Sequence, residues 1–240
     1  MDSLRNEIVF LFDVDNTLLD NDAIISDLRR YLIREAGENA EEQYFAIFEQ
    51  LREELGYADY LGALQRYRVM YPRDPCLLAV SSFLVNYPFA DRLYPGALEV
   101  LERLAEFGPT VILTDGDVVF QPLKIDRSGL GAAVEGRILV YIHKELELDD
   151  VTRRFPAEHY VLVDDKLRIL AAVKAAWGPS LTTVFVRQGH YAHDPEILAA
   201  YPPADVSIDR IGDVAERWNV RNVRDVRKDL PTTTSNTSDW

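Results

Sequence analysis

Residues Ile8-Val9-Phe10-Leu11-Phe12 form a run of five apolar side chains that breaks off into Asp13-Val14-Asp15-Asn16-Thr17. A short run rich in β-branched and aromatic residues has the pattern of a strand buried on both faces. On an extended backbone Asp13 and Asp15 project to the same side, just past the strand's end. In open α/β sheets that end is where ligands collect. Two carboxylates held together there repel each other unless a cation or a proton lies between them. The stretch therefore asks for a divalent metal, a shared proton, or a reaction that uses the two groups differently.

The rest of the chain supplies a frame for such a strand. From Asp22 to about Pro88 the pattern is helical throughout. Ile24, Ile25, Leu28, Tyr31, Leu32 and Ala36 make one apolar stripe, closed by Gly37, and Tyr44, Phe45, Ile47, Phe48, Leu51 and Leu55 make a second, closed by Gly56. A third helix is expected over Asp59–Met70, and a fourth with Asp74 as N-cap and Pro75 at its first position. These four read as a small bundle inserted after the first strand. From Pro95 helices and strands alternate. Strands are expected at Thr110–Thr114, Arg137–Ile142, His159–Val163, Leu181–Val186 and Val206–Ile208, with helices at Gly96–Phe107, Phe120–Ser128 and Lys166–Trp177. That rhythm predicts an α/β fold, a mostly parallel sheet with helices on both faces. The expected division is a core domain of residues 1–21 and 89–218, a helical domain of 22–88, and a polar, disordered tail of 219–240.

Two further strands end as the first one does. Val161-Leu162-Val163 runs straight into Asp164-Asp165, and Val111-Ile112-Leu113 ends in Thr114-Asp115-Gly116. A hydroxyl followed by a glycine turn can offer an oxygen and backbone N–H groups to an anion.

Together these pieces resemble the signature of the haloacid dehalogenase (HAD) superfamily, in its phosphatase branch. Asp13-Val14-Asp15-Asn16-Thr17 resembles its Asp-x-Asp-x-Thr motif, Thr114 its strand-end hydroxyl, Lys144 its lysine, and Asp164-Asp165 its double-Asp motif. The alternative acid placement of that last motif is absent, because Ile169 stands there. The resemblance spans about residues 7–210 and implies a Rossmann-like core whose helical insert is the first type of cap. It implies a phosphatase acting on a small phosphorylated metabolite with Mg2+, through an aspartyl-phosphate on Asp13. Asp15 would be the general acid and base, and Thr114, Asp115, Gly116 and Lys144 would hold the phosphoryl group. The metal would rest on Asp13, Asp15 (through its main-chain carbonyl), Asp164 and Asp165, with the direct ligand of the last pair left open. A phosphomutase and a catalytically idle scaffold are the alternatives. Lys124, only ten residues beyond Thr114, is a rival to Lys144, but is expected on the outer face of its helix.

Composition narrows the partners. The net charge of −14 repels nucleic acid and anionic lipid at long range, so neither is an expected partner. It repels a phosphate ester as well, so an anionic substrate requires cations placed locally. No apolar run is long enough for a membrane span. A single cysteine, Cys76, permits no internal disulfide, and a cytoplasmic location is expected. His143, His159, His190 and His193 show no ligand spacing, the loop Arg187–His190 reads as plain surface, and the insert aromatics read as bundle core.

Overall fold

The computed structural model describes residues 6–217. The expected polar tail, with position 218 of the core, lies outside them. Six strands, β1 (Asn6–Phe12), β2 (Thr110–Asp115), β3 (Ile138–Tyr141), β4 (Ala157–Asp164), β5 (Leu181–Val186) and β6 (Val206–Ile208), form one sheet in the order β3-β2-β1-β4-β5-β6. Every pairing is parallel. This is a doubly wound order, with β1 in the middle. The chain turns outward in one direction from β1 to β3 and in the other from β4 to β6, so the switch point lies between β1 and β4. The register pairs Phe12 with Ile112 on one side and with Val163 on the other. The loops after β1, β2 and β4 therefore emerge side by side.

The alternation of β1 builds two cores. Ile8, Phe10 and Phe12 face one apolar cluster, whereas Val9 and Leu11 face another. Helix α5 (Ala97–Ala105) packs on the first face with Val100, Leu101 and Leu104, and α9 (Leu167–Trp177) packs on the second with Ile169, Leu170 and Val173. Burying both faces is what a parallel sheet requires.

Between β1 and β2 lie α1 (Asn21–Ala36), α2 (Glu38–Leu55), α3 (Tyr60–Met70) and α4 (Leu77–Asn86). Their buried residues belong to the same cluster as Phe10 and Phe12, so the insert continues the core of one sheet face. Its entry and exit strands run together. Leu19 bridges Leu93 in an antiparallel sense, Asp20 N–H donates to Arg92 O at 2.8 Å, and Tyr94 N–H donates to Leu18 O at 3.0 Å.

Local punctuation departs from the sequence reading in two places. Helix α4 begins at Leu77, and Asp74 accepts a bond from Cys76 N–H in the turn before it, so Pro75 precedes the helix. Helix α6 (Phe120–Arg127) starts as expected, with Pro122 in its first turn, where a missing N–H costs nothing. Four short helices were not foreseen: α7 (Leu130–Ala133), α8 (Leu148–Arg154), α10 (Pro195–Ala200) and α11 (Asp213–Arg217). Segments of four to seven residues are too short to show a helical period.

Gly108 precedes β2 and lies against β1. A Cβ there would stand 2.3 Å from the carbonyl oxygen of Ile8, a backbone atom of the central strand. Gly108→Ala is expected to lower unfolding stability by about 1–3 kcal/mol in urea titration. An unchanged midpoint would mean that this turn is not pressed against β1.

Candidate active site

The site lies at the carboxyl end of the sheet, across the switch point. Asp13 follows β1 directly, and its N–H donates to Val163 O of β4 at 3.0 Å. Its side chain is buried, and Thr17 Oγ1 approaches Asp13 Oδ2 at 3.4 Å. Lys144, in the turn after β3, reaches inward. Its Nζ lies 2.6 Å from Asp13 Oδ1 and 2.7 Å from Asp164 Oδ2, and its N–H donates to Asp115 Oδ1 at 2.7 Å. Burial pushes the Lys144 ammonium towards neutrality, but the charges of Asp13 and Asp164 outweigh it and hold the amine above the usual lysine range.

Asp13, Asp164 and Asp165 form a buried group whose ligand atoms all lie within 4.8 Å of one another. Both oxygens of Asp165 are buried without a hydrogen-bond partner among the described residues. Lys166 Nζ is the cation nearest in effect, and it too is held above the lysine range by Asp165 and Asp13 against the opposing push of burial. Burial raises the Asp164 carboxyl to about 6, with Lys144 opposing and Asp13 adding. Burial also raises Asp165 well above the usual carboxylate range, against the pull of Lys166. Asp115 is also raised by burial, though Lys144 pulls it back. The cluster thus joins five carboxylates (Asp13, Asp15, Asp115, Asp164, Asp165) to three amines (Lys124, Lys144, Lys166). Fully ionised, it lacks two positive charges. Buried carboxylate oxygens with no donor, in a set short by two charges, fit a hard divalent cation that prefers oxygen ligands.

The structure corrects three expectations. Lys124 is not on an outer face: it is fully buried on α6, with Nζ 2.7 Å from Asp15 Oδ1 and 3.1 Å from Asn21 Oδ1. A signal for this was present, since Lys124 stands four residues from buried Phe120 and four from buried Ser128, on one helical stripe. Gly116 does not offer a free N–H, because that group donates to Tyr141 O at 2.9 Å. What demands glycine at 116 is Gln121, whose side chain would meet an added Cβ at 2.8 Å, and which donates to the buried Thr114 Oγ1 at 3.0 Å. Finally, the loop after β5 borders the site. Gln188 donates to Thr17 O at 3.1 Å, Gly189 (φ +69°) presses on Asn16, and His190 Nδ1 lies 2.7 Å from Asp22 Oδ1.

A cavity of about 300 Å³ opens between this site and the insert. Its lining includes Asp15 and Lys166 of the core and Asn21, Phe48, Arg52, Tyr57 and Tyr60 of the insert helices and their links. Most insert aromatics are core, as read from the sequence: Tyr44, Phe45, Phe48, Tyr60 and Tyr67 are buried. Tyr57 is half-buried, and with Phe48 and Tyr60 it also faces the cavity. Arg66 pairs with Glu54 at 2.6 Å on an exposed face.

The sequence matches the profile of the haloacid dehalogenase-like hydrolases over residues 9–176. A haloacid dehalogenase-like hydrolase from Burkholderia xenovorans LB400 is 65% identical, with a TM-score of 0.85, over 88% of this chain and 96% of that one. The chain belongs to the haloacid dehalogenase-like hydrolase family. Two more distant solved structures share the fold. The HAD-hydrolase YfnB from Bacillus subtilis, bound to magnesium, is 19% identical (TM-score 0.59, 90% of this chain and 100% of that one). An L-2-haloacid dehalogenase from Xanthobacter autotrophicus with chloropropionic acid covalently bound is 16% identical (TM-score 0.58, 87% and 97%). No protein of curated function matches the sequence. Among the described residues, no helix is long and apolar enough to cross a membrane.

The raised carboxyls define a pH test. A carboxyl held above its unfolded value favours folding at low pH, and that contribution is lost as pH rises through the folded value. For Asp164 the window runs from about 4 in the unfolded chain to about 6 in the fold, and Asp165 is raised in the same direction. A divalent cation binds the ionised carboxylates and displaces their protons. The increase in Tm caused by Mg2+ is therefore expected to be larger at about pH 7.5 than at about pH 5. Equal increases would show that these acids do not hold the ion.

Proposed function

We propose that this hydrolase is a Mg2+-dependent phosphatase of a small phosphate monoester. The observation that carries this reading is Asp15. It lines the cavity two residues beyond Asp13, outside the group formed by Asp13, Asp164 and Asp165, with its carboxylate about one-fifth exposed. An acid in that place is useful when the leaving atom is an oxygen that needs a proton. A halide leaves without one.

In this reading Asp13 attacks phosphorus, its oxygen forming a new P–O bond as the ester P–O bond breaks. Asp15 gives its proton to the departing oxygen. It then takes a proton from water as that water attacks the phosphorus of the aspartyl-phosphate, releasing inorganic phosphate and restoring Asp13. Asp13, Asp164 and Asp165 would hold Mg2+, which supplies positive charge beside the phosphoryl oxygens. Lys144, already between Asp13 and Asp164, neutralises the nucleophile's surroundings and the transferring group. Thr114 and Asp115 support it from β2. Gly116 is left out, since its N–H is committed to Tyr141. The insert acts as a cap, because its residues line the same cavity as Asp15. The cavity volume suits a small metabolite.

The test compares phosphate release from aryl phosphates with halide release from 2-chloropropionate, with and without Mg2+. Wild type is expected to hydrolyse the phosphate only, and only with the metal. Asp13→Asn, which keeps the size of the side chain, should lower that rate by about 10³-fold or more. Halide release by wild type without phosphate release would overturn the reading.

A further inference from the structure

A fully buried lysine in contact with a second, partly exposed acid calls for an explanation beyond charge balance. Taking an ammonium out of water costs several kcal/mol unless its partners compensate fully. Lys124 is 0% exposed, and among the described residues its Nζ has two close oxygen partners, Asp15 Oδ1 at 2.7 Å and Asn21 Oδ1 at 3.1 Å. The rings of Phe120 and Tyr60 flank it at 5.6 and 5.8 Å. Asn21 in turn donates from Nδ2 to Tyr60 Oη at 3.2 Å, and Tyr44 Oη donates to Tyr60 O at 2.9 Å. The chain of contacts thus runs from Asp15, through α6 and the first residue of α1, into α2 and α3 of the insert.

The two site lysines divide the acids between them. Lys144 lies between Asp13 and Asp164, within the group that fits a cation. Lys124 holds Asp15, which does not belong to that group. Yet Asp13 and Asp15 are two residues apart after a strand, and a cation beside Asp13 would attract both. A carboxylate on a cation is a poor proton carrier. Something must keep Asp15 out of that position, and Lys124 is the group placed to do so.

We propose that Lys124 is the positioning residue for Asp15. It fixes Oδ1, so that the other oxygen is presented to the leaving group in the cavity. This deepens the phosphatase reading and rests on it. Asn21 and Tyr60 set the position of the lysine from the insert.

The test is the dependence of kcat/KM on the leaving group, which reports on the first transfer step alone. Phenyl phosphate and 4-nitrophenyl phosphate have nearly the same shape, but only phenoxide depends strongly on a proton as it leaves. Lys124→Met stays unbranched, is one atom shorter, and removes the charge and the donor. It is expected to lower kcat/KM for phenyl phosphate about 100-fold, and for 4-nitrophenyl phosphate by less than about five-fold. Equal losses on the two substrates would mean that Lys124 only maintains structure, and would overturn the inference. If Lys124→Met does not fold, Lys124→Leu, which likewise has no group to donate to Asp15 Oδ1, is judged by the same split. Wild type serves as the control for the underlying reading. If it cleaves neither phosphate, the phosphatase reading falls and takes the inference with it. If it cleaves both and Asp13→Asn cleaves neither, the split judges Lys124 alone.

Discussion

Five carboxylates and three lysines meet at the carboxyl ends of the middle strands, most of them sealed from water, and the surrounding architecture is arranged around that crowding. Charges of one sign cannot be buried together without compensation. Lys144 compensates Asp13 and Asp164, Lys166 faces Asp165, and Lys124 takes Asp15. Each lysine arrives from a different element: the turn after β3, the turn after β4, and α6. A two-charge deficit remains, placed where Asp165 has two buried oxygens and no donor. A divalent ion would close that deficit, which links the reading of the site as hydrolytic to the stability of its acids.

The parallel sheet makes this arrangement possible. Because β1 lies between β2 and β4 in register, the strand ends that carry Asp13, Thr114 and Asp164 cannot drift apart without breaking the ladder. The insert then shares one apolar cluster with Phe10 and Phe12 and contributes Phe48, Arg52 and Tyr57 to the lining of the cavity that Asp15 also lines. His190 and Asp22 pin the start of α1 to the loop after β5. The cavity is accordingly bounded by both parts of the chain, a geometry in which the insert can select the molecule that reaches the acids.

Much of this was legible in the sequence. The six strands and the four insert helices follow from local patterns, and the grouping of Asp13, Asp164 and Asp165 and the choice of Lys144 beside Asp13 were what the resemblance to the family's motifs implied. Apolar runs that stop at acids mark strand ends, and helical stripes mark the insert. The short helices α7, α8, α10 and α11 escaped because one turn of chain carries no period. Lys124 escaped for a different reason. It is expected on an outer face because a lysine ordinarily keeps its head in water, and although Phe120 and Ser128 share its helical stripe, nothing local reveals an acid 109 residues away. The same holds for Gln188, whose partners Thr17 and Ile211 lie far along the chain. Gly116 was read as a free donor, whereas pairing with Tyr141 had already used its N–H.

The sequence by itself determined which side chains stand at strand ends, and so the kind of chemistry available: clustered carboxylates that need a cation and amines. Backbone geometry within a strand and the turn after it depends on near neighbours, and those are written in order. Only the tertiary structure decided how the charges are shared. Which lysine meets which acid depends on how α6 and the turns after β3 and β4 lie across the sheet. That placement is set by packing between distant segments, and buried charge is stable only where such packing brings the opposite sign within contact.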